Sequence, residues 1–342
     1  MNLENIIFTL ADAYGVSGDE NSAAQIALRY LKEYTDDCYI KNGNVIGNFG
    51  VREPKKPHIL IDAHIDQIGF VVTNITEDGF LKIGNIGGID RRLLLAQQVI
   101  ILGKQKITGI ICSIPPHLSE NEDEVPEISD ICIDIGMTQE EAEKIVSLGD
   151  SVLFSQKCAK LLGDRITGAA LDDRCGVASI LNTLEMLKNT DLNYTDLNCS
   201  FSVLFSTQEE VGERGAKIAA FDINPDIAIA VDVSFALTSD DSELKCGKLG
   251  KGCMIGISPS LDKELSKKMI AIAKENNIPY QIEVMSGTTG TNADRFSVNN
   301  DGVKSVTLSI PLRYMHTPVE VISLADVCST STLIAEYIKG VQ

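Results

Sequence analysis

The sequence predicts an α/β fold, an α/β/α arrangement around a mixed sheet, interrupted by a small inserted domain of β-barrel type. Two patterns support this prediction. Before residue 69 and after residue 162, apolar segments typical of buried strands alternate with helical patterns. Between residues 69 and 162, short β-rich segments alternate with turns, which is typical of a small barrel. A chain of 342 residues is long enough for one large and one smaller domain.

The composition narrows the class of protein. A net charge of −18 argues against nucleic acid as a partner, because nucleic-acid binding needs a basic surface. No apolar run approaches the roughly 20 residues that cross a bilayer, and the N-terminus lacks the features of a signal peptide. The nine cysteines form no C-x-x-C pair, which is typical of reduced thiols. We therefore expect a cytoplasmic protein that binds neither nucleic acid nor a membrane.

Two amphipathic helices are predicted first, because apolar residues recur at helical spacing over residues 3–10 and 23–34. Residues 14–20 (YGVSGDE) interrupt the helical pattern and separate the two helices. Within this segment, either Ser17 or Asp19 can cap the second helix.

A buried strand is predicted next, over residues 59–63, and it ends at His64. Asp66 follows two residues later. A carboxylate beside an imidazole can fix its tautomer, so that the other ring nitrogen binds a metal. A His-x-Asp pair alone is weak evidence, since a histidine on the surface or satisfied in the core is more common.

The inserted region is predicted to be β-rich with one helix. The helix covers residues 138–146, with Thr138 as its cap. The acidic residues 119–126 predict an exposed loop. We expect this region to contact a partner and close off the site rather than to carry catalysis. The predicted strands are residues 69–72, 80–83, 98–102, 107–111 and 151–154.

Two pairs of acidic residues follow in the second half of the chain. Asp172 and Asp173 precede a helix, so they are either an N-terminal cap or the source of a carboxylate that bridges two metal ions. Glu209 and Glu210 follow a predicted strand over residues 201–206. Neighbours on an extended chain point to opposite sides, so one can bind a metal while the other acts on a water molecule. The alternative is a solvated acidic turn.

The remaining segments complete the α/β pattern. Residues 226–232 predict a buried strand that ends at Asp232, and residues 306–311 predict another, followed by His316. A Gly/Thr-rich loop at residues 286–294 lacks the Gly-Lys-Ser/Thr ending of a phosphate loop, so we predict no nucleotide site. Helices are predicted over residues 261–274 and 324–338.

Five residues with metal-binding side chains are thus expected near one edge of the sheet. Carboxylates that lie close together repel, and their ionised forms need cations. Two imidazoles and three carboxylates suit a pair of ions such as zinc or cobalt. If one carboxylate bridges, each ion also receives one imidazole and one carboxylate of its own, which leaves a position for a shared water molecule. The five are His64, Asp172, Glu210, Asp232 and His316, with Asp172 as the bridge and Glu209 as the spare carboxylate.

This set of residues resembles the site of the M42 family of metallo-aminopeptidases, within the larger clan of di-zinc aminopeptidases. The matching segments follow the family's order over nearly the whole chain. They are residues 63–70 (AHIDQIGF), 86–90 (IGGID), 115–117 (PPH), 133–136 (IDIG), 170–176 (ALDDRCG), 207–215 (TQEEVGERG), 230–233 (AVDV) and 313–320 (RYMHTPVE).

The resemblance implies an aminopeptidase that hydrolyses short peptides with a free N-terminus. It implies two divalent ions per subunit, zinc or cobalt, with Glu209 as the general base and Asp66 orienting His64. It implies a mixed-sheet di-zinc peptidase domain of residues 1–68 and 163–342 and an inserted dimerisation domain of residues 69–162. Family members often form tetrahedral dodecamers, so we expect a homo-oligomer built from dimers. The implied ligands are His64, Asp172, Glu210, Asp232 and His316.

Three residues depart from the usual sequence of the family. Gln67 stands where Glu is usual, Ile89 replaces a common aromatic residue, and Asn292 replaces the Asp of a Gly-Thr-Asp-Ala loop. None of them is an implied ligand. We therefore expect the metal chemistry to survive, while the substrate preference stays open.

Two other function classes stay open. Some relatives carry a cellulase label, and glycoside hydrolysis can use Glu209 or Glu210 as the acid with a second carboxylate as nucleophile or base. That chemistry does not need His64 or His316, and a chain with no Trp and 5% aromatic residues has few surfaces on which sugars stack. A non-catalytic metal-binding protein would hold metal but hydrolyse no peptide.

Overall fold

The computed structural model describes residues 2–112, 125–190, 194–239 and 246–341. Within these ranges the chain forms an eleven-stranded mixed sheet and a closed six-stranded barrel, which confirms the predicted fold class. The helices are α1 (Leu3–Ala11), α2 (Asn21–Leu31), α3 (Gln139–Ile145), α4 (Leu171–Lys188), α5 (Arg214–Ile223), α6 (Lys263–Glu275), α7 (Ala293–Ser297) and α8 (Leu324–Lys339). The strands are β1 (Cys38–Lys41), β2 (Asn44–Phe49), β3 (His58–His64), β4 (Gly69–Ile75), β5 (Leu81–Ile86), β6 (Gln98–Leu102), β7 (Lys106–Ile111), β8 (Cys132–Asp134), β9 (Ser151–Phe154), β10 (Ala159–Lys160), β11 (Arg165–Gly168), β12 (Ser200–Ser206), β13 (Ile227–Phe235), β14 (Cys253–Ile257), β15 (Tyr280–Val284), β16 (Lys304–Arg313) and β17 (Glu320–Ser323).

The large sheet has a parallel centre and antiparallel edges. Its main path is β1-β2-β12-β3-β13-β16-β17-β11-β10, and β14 pairs with both β15 and β16. Strands β12, β3, β13 and β16 are mutually parallel where they pair. Their carboxyl ends therefore lie at one edge of the sheet, which is where open α/β sheets bind ligands.

Both faces of the sheet are covered by helices. Every residue of β3 and β12 is buried, as expected for central parallel strands that read as continuous apolar runs. On one face, residues from α1, α2, α4, α6 and α8 form the main core together with alternate strand residues such as Ile59 and Ile61. On the other face, Leu60 and its neighbours pack against α5 and α7. This two-sided packing fixes the positions of the strand ends.

The barrel lies within the predicted insert and has its own core. Its strands close in the order β4-β5-β8-β7-β6-β9, around Phe70 and Phe154, whose rings meet edge to face. Strand β8 was not predicted, because its three residues are too few to show an alternating pattern. Helix α3 begins as predicted, since Thr138 and Glu141 form a capping box. The short strand β10 pairs with β11 of the large sheet.

Several element boundaries differ from the predictions. Ser17 and Asp19 do not cap α2; its N-cap is Glu20, which makes no side-chain cap, and the Ser17 hydroxyl bonds to Asp66 instead. Helix α6 starts two residues later than predicted, because Asp262 caps it by accepting from the Leu265 amide. Strand β13 continues past Asp232, which belongs to the strand rather than to its end.

Two predicted features lie outside the described residues. They are the PPH segment at residues 115–117 and most of the acidic loop at residues 119–126. In the described ranges, no helix is both long enough and apolar enough to span a membrane.

Candidate metal centre

The five predicted ligands converge at the carboxyl edge of the sheet. His64 is the last residue of β3, Asp232 lies in β13, and Asp172 lies at the start of α4. Glu210 follows β12, and His316 lies between β16 and β17. Neighbouring parallel strands deliver three of these residues, because His64 is in register with the last residue of β12 and β13 pairs with β3.

Asp172 lies between the two imidazoles. Its Oδ1 is 3.0 Å from His64 Nε2, and its Oδ2 is 3.4 Å from His316 Nε2. Asp172 is 6% exposed, so both oxygens depend on protein partners or bound ions rather than on bulk water. One carboxylate thus faces two imidazoles, one with each oxygen.

Each imidazole also faces a second carboxylate. Glu210 Oε2 is 3.4 Å from His316 Nε2, and Asp232 Oδ1 is 3.9 Å from His64 Nε2. Atoms of His64, Asp172 and Glu210 lie within 4.8 Å of one another and could share one ion. A second such group is formed by His64, Asp173 and Asp232. The two groups of three share His64. The pairwise distances place Asp232 beside His64 and Glu210 beside His316, and Asp172 contacts both imidazoles.

The charges of this cluster suit divalent cations. Burial raises the pKa of Glu210, and the Asp172 charge raises it further. Burial likewise raises the pKa of Asp232, with Glu209 and Asp172 adding to it. Burial opposes ionisation of Asp172 too, but the two imidazoles beside it hold its pKa below the usual range. Buried carboxylates in such numbers are stable in ionised form only beside compensating positive charge, and oxygen and imidazole donors suit zinc and cobalt.

Asp66 contacts the turn that carries the two glutamates. Its Oδ1 accepts from the Glu209 amide at 3.0 Å, and its Oδ2 accepts from the Glu210 amide at 3.2 Å and from the Ser17 hydroxyl. His64 Nδ1 lies 3.2 Å from the Asp66 carbonyl and 3.5 Å from its carboxylate. Burial acts to raise the pKa of Asp66, but the His64 and Ser17 contacts keep it below its usual value. Asp66 thus contacts both a predicted ligand and the backbone of two other predicted site residues.

Glu209 lies beside the cluster. Among the residues that the structure describes, none donates a hydrogen bond to its carboxylate. Burial raises the pKa of Glu209 to about 7, and the charges of Asp172 and Asp66 contribute to this increase, while His64 opposes it. Its amide is fixed on Asp66. Glu209 is therefore a carboxylate close to His64 and Asp172 that is left over after the five predicted ligands are paired.

The two aspartates of the pair have different surroundings, and one of them forms the predicted cap. Asp173 Oδ1 accepts from the Gly176 amide at 3.0 Å, as an N-terminal cap does. Asp172 instead faces the imidazoles, and both residues have non-helical backbone angles at the start of α4. The second oxygen of Asp173 is buried without a hydrogen-bond partner.

Glu320 is a site residue whose role sequence analysis missed. It is 1% exposed and lies on β17. Its Oε2 accepts from the Leu171 and Asp172 amides at 2.8 and 3.1 Å, and its Oε1 accepts from the His316 amide at 3.1 Å. The available signal was a glutamate within an apolar strand, which is costly to bury unless it is hydrogen-bonded. Glu320 ties the segments of Asp172 and His316 together.

The barrel reaches the cluster through the turn after β5. A Cβ atom built on Gly88 would lie 3.0 Å from His316 Nδ1. A Cβ atom on Gly87 would lie 3.2 Å from Glu210 Oε2, and its φ of +76° also favours glycine. The inserted region therefore forms part of the wall around the cluster.

Asn292, one of the departures from the family's sequence, contacts a buried acid. Its Nδ2 donates to Asp62 Oδ2 at 2.7 Å and to Ser206 Oγ at 2.9 Å. Burial raises the pKa of Asp62 to about 7, while the Ser206 and Asn292 hydrogen bonds limit the increase. Asp62 is 0% exposed and lies on β3 two residues before His64. The amide at position 292 thus donates to a carboxyl group, which an aspartate at this position could not do when ionised.

We expect Asn292→Asp to lower the free energy of unfolding by about 1–3 kcal/mol at neutral pH, because it replaces a donor to Asp62 by a second carboxyl group. Urea unfolding of the two proteins measures this loss. The double variant Asp62→Asn/Asn292→Asp exchanges the two side chains and so restores one amide and one carboxyl group. It is expected to recover most of the lost free energy of unfolding. Equal stability of the wild type and the single variant would contradict this account.

The sequence of the chain is similar to those of known aminopeptidases. The model of the M42 glutamyl aminopeptidase family matches residues 43–333. Lysyl aminopeptidase from Pyrococcus furiosus is 33% identical over 332 residues, which span 95% of this chain and 93% of that protein.

Solved structures extend the likeness to the whole fold. Aminopeptidase APDkam598 from the archaeon Desulfurococcus kamchatkensis has a TM-score of 0.91 and 34% identity, covering 99% of this chain and 94% of that one. The Pyrococcus horikoshii TET1 peptidase, described as able to assemble into a tetrahedron or a large octahedral shell, has a TM-score of 0.86 and 32% identity. That match covers 99% of this chain and 100% of the other.

Proposed function

The chain belongs to the M42 peptidase family, and on that premise we propose that it removes N-terminal residues from peptides with a free amino group, using two divalent ions and Glu209 as general base. The observation that carries the proposal is the position of Asp172 between His64 and His316, with one oxygen toward each imidazole. A carboxylate in that position can be shared by two cations.

We propose that each ion is held by one half of the cluster. His64 and Asp232 would hold one ion, His316 and Glu210 would hold the other, and Asp172 would bridge. Zinc and cobalt suit this mixture of imidazole and carboxylate donors. When bound, the ions supply positive charge that acidifies a water molecule and polarises the scissile carbonyl.

Glu209 is the proposed proton carrier. It takes a proton from the attacking water and delivers it to the leaving amine. A pKa raised by burial supports this role, since it favours both taking up and releasing a proton near neutrality. Asp66 would keep Glu209 in place through the backbone amide and would keep His64 in the tautomer that leaves Nε2 free for a metal.

We also propose the domain roles and the assembly. Residues 1–68 and 163–342 would form the catalytic domain, and residues 69–162, which include the closed barrel, would form a dimerisation domain. A homo-oligomer built from such dimers, up to a tetrahedral dodecamer, is consistent with the assembly described for the TET1 peptidase. A cytoplasmic location is proposed from the free cysteines of the described residues.

We expect hydrolysis of aminoacyl p-nitroanilides, and no hydrolysis of the same substrates with an acetylated amino group. A chelator is expected to abolish the activity, and adding zinc or cobalt to the stripped protein is expected to restore it, because the ions are part of the proposed site. Chromogenic assays over a panel of N-terminal residues and metals measure this. Full activity of a protein shown by mass spectrometry to hold no metal would contradict the proposed role of the ions.

The glycoside-hydrolase alternative is tested in the same experiment. A soluble cellulose replaces the aminoacyl substrate, with and without the chelator. Hydrolysis of cellulose that survives chelation, together with inertness toward every free-amine substrate, would favour paired carboxylates over the peptidase proposal.

A further inference from the structure

The segment between α1 and α2 lies against the candidate metal centre. Two backbone hydrogen bonds hold it beside Asp66: Ser17 donates to the Gln67 carbonyl at 3.1 Å, and Gln67 donates to the Gly15 carbonyl at 3.0 Å. The Ser17 hydroxyl then donates to Asp66 Oδ2. Ser17 is 8% exposed, so water cannot readily replace this hydrogen bond. The local cap expected of Ser17 is thus replaced by a contact with a residue that is 49 positions away.

Glu20, from the same segment, is buried and holds that segment in place. It is 7% exposed, and its carboxylate accepts from the Gly18 amide at 2.6 Å. Asp66 accepts from two successive amides of the turn that carries the glutamates, those of Glu209 and Glu210. Asp66 therefore links the N-terminal segment, through Ser17, to the backbone of this turn.

The held turn has a backbone conformation that is unfavourable by itself. Gln208 has a φ of +56°, which lies in the left-handed region that residues other than glycine rarely adopt. Such residues persist where the surrounding structure holds them, and they cluster at functional sites. Here the surrounding structure includes Asp66, which accepts from the two amides that follow Gln208. We expect that, without these contacts, the turn would relax and the side chains of Glu209 and Glu210 would change direction.

We propose that Ser17 is a positioning residue of the proposed aminopeptidase site: Ser17 orients Asp66, and Asp66 fixes the turn that aims Glu209 at the water and Glu210 at the metal. This inference rests on the proposed function. It assigns part of the site to the N-terminal segment, which supplies none of the five proposed ligands.

Ser17→Ala tests the inference most directly. The kcat for an aminoacyl p-nitroanilide is expected to fall about 10–100-fold with KM changed by less than about threefold, because loss of an outer hydrogen bond misorients groups that act in the reaction. Isothermal titration of zinc into the stripped protein is expected to show weaker binding of at least one ion, by about 10-fold or more. Asp19→Ala, an exposed acidic residue of the same segment, is the control and is expected to change neither quantity.

Ser17→Cys keeps the size of the side chain but donates a hydrogen bond weakly, and it replaces the alanine variant if that variant does not fold. A loss of thermal stability with unchanged kcat and unchanged zinc affinity would show that Ser17 only supports the fold, and would overturn the inference. If the wild type cleaved no aminoacyl substrate, the proposed function would fail separately, while the zinc titration would still decide whether Ser17 affects the metal centre.

Discussion

Glu209→Gln is expected to lower kcat by about 10²–10⁴-fold while leaving two metal ions bound per subunit. Glutamine has the same size and can still fill the space beside His64 and Asp172, but it cannot take a proton from water. The proposed ligands pair with one another without Glu209, since Asp172 serves both imidazoles and Glu210 and Asp232 each serve one. Metal content should therefore be independent of residue 209.

The measurement is kcat for an aminoacyl p-nitroanilide, together with metal content by mass spectrometry, on the same sample. Glu213→Gln is a suitable control, because it makes the same change of charge in the same turn but at a side chain that pairs with Arg295. Substantial turnover by metal-loaded Glu209→Gln protein would remove Glu209 from the role of general base. A loss of one ion would instead make Glu209 a ligand.

The sheet and the strand ends of the site could be predicted because local sequence determines them. A central parallel strand is buried on both faces, so it must be a run of apolar residues, and the first ionisable residue after it marks its carboxyl end. Glu209 after β12 follows this rule, and His64 follows it in part, because it ends β3 but the buried Asp62 precedes it in the same strand. Asp232 follows it only in part, because β13 continues for three residues beyond it.

Which of two neighbouring residues takes which structural role could not be predicted in this way. Asp172 and Asp173 are equally suited to a cap or to a ligand, and the choice depends on backbone angles at the start of α4 that no local pattern encodes. Ser17 is a similar case: its sequence position suggests a cap for α2, but a buried carboxylate from another segment provides a stronger partner. Contacts between distant segments decided both outcomes.

The burial of further acidic residues around the site could not be predicted for a related reason. Sequence analysis treats a glutamate or aspartate in an apolar run as an exception, whereas here Glu320 and Asp62 are each buried on a strand and hydrogen-bonded by segments remote in sequence. The departure at Asn292 becomes intelligible only with Asp62, which is 230 residues away. One sequence by itself does not reveal pairs of residues that are so far apart along the chain.

The carboxylate at position 172 is the feature on which the proposed two-ion centre depends, so Asp172→Asn is expected to weaken binding of both ions. An amide has one oxygen and no charge, and it cannot serve both His64 and His316 as the carboxylate does. We expect the affinity for zinc to fall by at least about 100-fold, the upper range seen when even an outer partner of a ligand is removed. Activity at limiting zinc should fall with it.

Two measurements separate this expectation from simple unfolding. Zinc should raise the melting temperature of the stripped wild type, because an ion that binds only the folded state stabilises it, and this increase should nearly vanish in Asp172→Asn. Asp173→Asn is the matched control: it alters the neighbouring buried acid, which caps α4 through the Gly176 amide. That variant should lose stability but keep its response to zinc. If the responses of the two variants were reversed, Asp173 rather than Asp172 would join the two halves of the cluster, and the proposed ligand set would have to be redrawn around it.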